Sequence, residues 1–209
     1  MEKAEKRGRP KTLEREHVLQ TALMQYWGVS PTDVSIGEIC KLTGASKPGI
    51  YREFGRDDGL KRAALESYRS LALLPLFDIL NQDHSFADAK AALIAFTTQD
   101  REALGVPSGC LFVAMRAHHD QLGAATRDRV EQLRQEVLDA YAVWIEKAKS
   151  KGECNTTTPT NAAALYFDAQ NGGAMRMQRE GAANDTIASV LRSALGVLAM
   201  GKRAGARTN

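Results

Sequence analysis

Two helix-start signals on either side of one tight turn constrain this chain more than any other feature. Ser35-Ile36-Gly37-Glu38 reads as a capping box: the serine hydroxyl accepts the third helical amide and the glutamate reaches back. Gly44 follows where a left-handed residue closes a short helix. Ser46 then caps a second short helix that tolerates Pro48 in its first turn. Ile36, Ile39 and Leu42 are expected to be the buried side of the first, and Ile50 and Phe54 the anchors of the second. At ~100° per residue, Pro48 and Arg52 then face away from the core, with Gly49 and Tyr51 on the flanks. Two short helices around a glycine turn, behind a longer first helix, make a helix-turn-helix, a motif whose second helix enters a DNA major groove.

The remainder also reads as helix, so the fold class is all-α, with about nine helices. Residues 1–11 form a polar, basic arm. The first helix runs from about Thr12 to Trp27, burying Val18, Ala22, Leu23 and Tyr26. The fourth starts near Asp57 and Asp58 and continues past Leu74, with a kink due at Pro75. The fifth follows the cap signature at Ser85, and the sixth spans Cys110 to His118 after the break at Pro107-Ser108-Gly109. The seventh, about Ala125 to Lys149, buries Val130, Leu133, Val137, Tyr141, Trp144, Ile145 and Ala148. The eighth covers about 161–179 and stops at Gly181. The ninth covers about 185–200, capped by Asn184, with Ile187, Val190, Leu191, Ala194, Leu195 and Leu198 on its apolar face. The domain reading is an arm (1–11), a helix-turn-helix head (12–60, motif 35–54) and a helical regulatory and dimerisation body (61–209).

The net charge is only +3, so any nucleic-acid argument rests on where the charge sits. Lys6, Arg7, Arg9 and Lys11 cluster in the arm with no acid among them. The N-terminus carries no apolar run of signal-peptide type, and no segment offers the ~18 apolar residues of a membrane span. Cys40, Cys110 and Cys154 are odd in number and lack C-x-x-C spacing, against a disulfide framework or structural zinc. The expected location is the reducing cytoplasm. No catalytic residue, metal ligand or cofactor is assigned.

The stretch Gly44-Ala45-Ser46-Lys47-Pro48-Gly49-Ile50-Tyr51-Arg52-Glu53-Phe54 resembles the signature of the TetR family of transcriptional regulators. Ser35 to Ile39 upstream, and Thr21-Ala22-Leu23 with Tyr26, extend the likeness over residues 12–65, and Gly109-Cys110-Leu111 recurs in some branches. The resemblance implies a ligand-released repressor that binds a palindromic operator in double-stranded DNA as a homodimer. Ser35, Ser46, Lys47 and Tyr51 would contact phosphates. Arg52 would read a guanine edge or hold a phosphate, Pro48 would touch a thymine methyl, and Gly49 would allow close backbone approach. Arg7 and Arg9 would enter a narrow minor groove, unless the arm is simply solvated. Asp57 departs from the family's lysine at this place: either Arg56 supplies that contact or the fourth helix supplies none.

The resemblance also implies a small-molecule effector pocket among the fourth to eighth helices. Phe77, Phe96, Cys110, Phe112, Met115, His118, Trp144, Phe167 and Met175 are its candidate lining, or plain core. Dimerisation would use the eighth and ninth helices as a four-helix bundle, with Ala162, Ala163, Ala164, Gly172 and Gly173 suited to close approach. Two alternatives stay open. One is a redox or electrophile sensor acting through Cys110, whose thiol a helix N-terminus would acidify. The other is a helical binding module or enzyme without a DNA role.

Overall fold

Capping chemistry sets where the chain turns. The computed structural model describes residues 14–154 and 157–197. Among them lie α1 (Arg15–Gly28), α2 (Ile36–Thr43), α3 (Lys47–Phe54), α4 (Asp57–Tyr68), α5 (Leu74–Asn81), α6 (Phe86–Thr97), α7 (Leu111–Ala117), α8 (Ala124–Ser150), α9 (Thr160–Arg179) and α10 (Asn184–Gly196). The arm, with Arg7 and Arg9, and Leu198 of the expected last helix lie outside the described residues. Thr12, the expected start of α1, does too.

The box at Ser35 forms: its hydroxyl accepts the Glu38 amide at 3.2 Å, and its own amide donates to Glu38 Oε2 at 2.7 Å. Gly44 closes α2 at φ 68°, in the left-handed region where a side chain would be strained. Ser46 caps α3 by accepting the Gly49 amide at 3.2 Å. Leu42 corrects one expectation, being 55% exposed. On a helical wheel it falls about 90° from the mean of Ile36 and Ile39, whereas Thr43 comes back into line. Thr43 is half-buried and its hydroxyl donates to the Ile39 carbonyl. Ile39, Ile50, Leu23 and Leu60 are sealed in the head core, each contributing about 1.5–3 kcal/mol.

The expected kink at Pro75 takes a defined form. Pro75 brings no amide, so an α-helical bond to the carbonyl four residues back is lost. The chain widens into a π turn over Arg69–Leu73, and the Leu74 amide reaches the Arg69 carbonyl before α5 begins. What reads as one fourth helix is therefore α4 and α5 end to end. α4 packs on α1 on one side and on α8 on the other.

The body is organised on α8, whose buried stripe is the one expected, extended by Thr126. Phe86, Tyr141, Trp144 and Phe167 pack as a ring cluster with centroids 4.6 to 6.2 Å apart. Arg116 of α7 holds Asp168 of α9 in a bidentate pair, both bonds 2.9 Å. Asn184 is the first residue of α10 instead of its cap; Ala183 occupies the cap position. The Asn184 side chain is engaged by Gln178, whose Nε2 donates to it at 3.1 Å. On α10, Ile187, Ala188, Leu191 and Leu195 are buried, whereas Val190 is 42% exposed.

Candidate nucleic-acid interface

α3 is eight residues long and is held by one side. Ile50 is fully buried and Phe54 partly so, which turns the opposite side outward. Ser46, Lys47, Pro48, Tyr51, Arg52 and, just beyond the helix, Arg56 are all exposed. Among the described residues, none of Lys47, Arg52 and Arg56 is paired with a carboxylate within ion-pair distance. The Lys47 ammonium sits 5.5 Å from the Tyr51 ring centroid, which keeps both on one face. The acid on this helix is drawn aside, because Glu53 pairs with Arg15 at 2.9 Å. The result is a free cationic face beside a capped helix N-terminus, an arrangement that suits phosphate.

Two expected contact residues sit differently. Gly49 is buried and its amide is spent on Ser46, so it offers no open backbone; it lies about 100° from Ile50, within the turn's own packing. Ser35 is exposed, but its hydroxyl donates to Glu38 at 3.0 Å as well as accepting from it. Those bonds hold the Glu38 carboxyl below its ordinary range and keep a negative charge beside Ser35. Asp57, the departure from the family pattern, is matched by Lys61 at 2.6 Å. Arg56 stands in extended conformation at the cap of α4, free of that pair.

Two joints tie this head to the body, and neither was read from the sequence. Asp58 of α4 caps α8, accepting the amides of Ala125 and Thr126 at 2.9 and 3.0 Å. At the far end of α1, the Arg179 guanidinium of α9 donates to the carbonyls of Trp27, Gly28 and Val29. Beside it the Trp27 indole donates to the Gly109 carbonyl at 3.2 Å, and the Gly109 amide to Gln178 at 3.0 Å. A signal for the first joint was present: Gly123 opens a long helix with no side chain to cap it, so the cap must come from elsewhere.

Eight of the nine candidate pocket residues belong to the apolar core or pack against it, His118 being the other. Trp144 and Phe167 spend their faces on the ring cluster, and Met115 is fully buried. Phe77, Phe96 and Phe112 lie under the guanidiniums of Arg69, Arg101 and Arg116, at 6.0, 5.9 and 5.4 Å. Met175 is buried against the Gly109 turn, and half-buried His118 bonds the Ala114 carbonyl through Nδ1 at 2.9 Å. Trp144 borders a small cavity of about 10 Å³, room for roughly a single water.

Cys110 caps α7 instead of sitting in its first turn, and its Sγ accepts the Val113 amide at 3.4 Å. The expected acidification is reversed: burial pushes the thiol up, against smaller opposing contributions from Tyr68, the backbone and Arg101.

Residues 90–194 match the family model described as "Tetracyclin repressor-like, C-terminal domain". The HTH-type transcriptional repressor ComR of Escherichia coli is 29% identical over 108 residues, 51% of this chain and 51% of that protein. The HTH-type transcriptional repressor BdcR, also of E. coli, is 25% identical over 113 residues, 54% and 57% of the two chains. The chain thus spans about half the length of the curated relatives it matches. A cysteine-substituted variant of CifR, solved with a 26-base-pair operator, superposes with TM-score 0.77 at 22% identity, covering 91% of this chain and 100% of that one. Reduced E. coli NemR gives TM-score 0.72 at 19% identity, covering 88% and 97%. At these identities the structural likeness carries the fold.

Proposed function

This chain belongs to the TetR family of transcriptional regulators, and from that premise we propose that it is a homodimeric, ligand-released repressor of an operator in double-stranded DNA. The observation that carries the reading is the unpaired cationic face of α3. In this reading Ser46 and Lys47 hold phosphate, the Tyr51 hydroxyl donates to another, and Arg52 forks onto a guanine edge. Arg56 takes the place of the family's lysine at the start of α4. Arg7 and Arg9 lie in the adjoining minor groove, and Pro48 meets a thymine methyl. Ser35 contributes only its position beside the α2 N-terminus, and Gly49 supports the turn.

The second copy would pack on α9 and α10. Leu165, Val190 and Val197 are 48, 42 and 68% exposed there, apolar surface that a partner would cover. Ala162 and the half-buried Gly172 and Gly173 allow the helices to approach. Two heads on one two-fold axis call for a palindromic site with half-sites about one duplex turn apart. An effector acts only through its differential affinity for the operator-binding and released arrangements. Asp58 and Arg179 are the contacts such a change must strain. A regulator of operator DNA would work in the cytoplasm; among the described residues no helix is long and apolar enough to cross a membrane.

A gel shift on the DNA upstream of the gene tests the reading. Retention at low salt that is lost on Lys47→Ala plus Arg52→Ala supports it. No retention of the wild-type protein, or retention unchanged in the double variant, sinks it.

A further inference from the structure

Beneath the α9–α10 turn lies a polar cavity of about 250 Å³, outside the ring cluster and away from α3. Arg101 and Gln178 border it from inside. Arg101 is only 9% exposed, and among the described residues its side chain makes one hydrogen bond, a long one, Nε to Gln178 Oε1 at 3.4 Å. Among the described residues no carboxylate comes within ion-pair distance of its guanidinium. An arginine stays charged at every physiological pH, so a charge on a nine-tenths-buried side chain borders the cavity with no counter-ion within ion-pair distance. The Phe96 ring at 5.9 Å compensates only in part.

A second, independent feature faces the same space. Ala183 occupies the cap position of α10 and no side chain caps its first turn, while Ala183 and Asn184 both line the cavity. The positive end of a thirteen-residue helix therefore borders it. Asp185, the acid of that turn, lines the groove against α6 instead. At the rim, exposed Asp100 and Glu102 flank Arg101 in sequence, and Asp100 Oδ1 accepts the Ala103 amide at 3.1 Å. The cavity is thus positive at its floor and negative at its mouth. A lone cation is repelled by the floor, and a multiply charged anion by the mouth. A small molecule with a carboxylate at one end and an ammonium a few bonds away meets both.

We infer that this cavity binds a small zwitterion of the amino-acid class, its carboxylate on Arg101 and the α10 N-terminus and its ammonium toward Asp100 and Glu102. Gln178 carries occupancy onward. The oxygen it shows Arg101 also accepts the Gly109 amide, and Gly109 in turn receives the Trp27 indole of α1. That consequence at the DNA rests on the regulator reading; the binding itself does not.

The test uses the full chain without DNA: thermal shift, then calorimetry, with each common amino acid at millimolar concentration. Acetate, inorganic phosphate and methylamine serve as single-charge probes. At least one amino acid should bind saturably, and acetate and methylamine about tenfold or more weakly. Arg101→Gln should weaken the amino acid about tenfold or more, the worth of a charge-assisted bond to a carboxylate. Should that variant fail to fold, Asp100→Asn with Glu102→Gln, both on exposed positions, should erase the preference over acetate. The site is overturned if no amino acid binds, if acetate or phosphate binds as well as the best amino acid, or if the rim variant keeps the wild-type preference. A protein that binds an amino acid but retains no DNA supports the site and removes the regulator reading instead.

Discussion

Asp58 holds Thr126 from both main chain and side chain: its Oδ1 accepts the Thr126 amide at 3.0 Å, and its backbone carbonyl accepts at 2.9 Å the Thr126 hydroxyl, which also lies against Oδ1. A residue at the start of the head's last helix thereby does for α8 what Gly123, lacking a side chain, cannot. Gly123 is needed in return, because a Cβ there would lie 2.2 Å from the Asp58 carboxyl carbon.

Removing this cap should be costly. Asp58→Ala should lower stability by about 1–2 kcal/mol in urea denaturation, the worth of an N-cap. Gly123→Ala should also destabilise, and the two changes together should cost less than their sum, because each breaks the same joint. Additive losses would show that the joint is not shared.

The same carboxylate makes stability depend on pH. Burial raises its pKa, but the bonds from Thr126 and Ala125 and nearby Lys61 outweigh that and hold it below the ordinary 3.8. A depressed folded pKa means the contribution is present above the unfolded value and fades as pH falls through the folded one. The stability gap between wild type and Asp58→Asn should therefore be full at pH 7 and narrow below about pH 4. A gap constant down to pH 2 would contradict this.

Arg52 and Lys47 should part company on DNA. Arg52→Ala should cost about 1–3 kcal/mol on the operator and relax specificity at one base pair. Lys47→Ala should weaken all sequences alike and reduce the salt slope by about one. A Lys47→Ala effect confined to one base pair would reverse the assignment.

Asp168→Ala leaves Arg116 half-buried and unmatched, and should cost about 3 kcal/mol or more, read by thermal or urea melting. Replacing both by apolar residues of similar volume should cost less. If the single and double changes cost the same, the pair is not what holds α7 to α9.

Cys110 should react with a thiol reagent at pH 7 more slowly than a free thiol, and at the free rate once the protein is unfolded. Burial of the side chain and the raised thiol pKa both point that way. Faster reaction in the folded protein would restore the redox-sensor alternative.

The capped turn, the α1 stripe and the α8 stripe were legible because each is local: spacing, a cap residue and a glycine decide them. Leu42 was misjudged because an eight-residue helix has room for one buried line, and Thr43 took it. Residue type alone leaves pocket lining and core open for Trp144 and Phe167, which find each other across α8 and α9. Asp58, Arg101, Gln178 and Arg179 bond or line space far along the chain, and no spacing rule links such positions. Asn184 shows the limit of cap signatures, since a partner six residues back claimed its side chain.

The π turn ahead of Pro75 has a consequence for any change in chain length. Such a turn houses one residue more than an α turn, so the rod from α4 to α5 carries a built-in surplus. Excising Ser70 while exchanging Pro75 for alanine would let the two helices run on as one. The residues beyond would keep their facing, with Leu76 and Leu80 still buried, because the π turn had already absorbed the extra one. A codon lost from the middle of α8, which holds no such surplus, would instead rotate everything beyond it by about 100°.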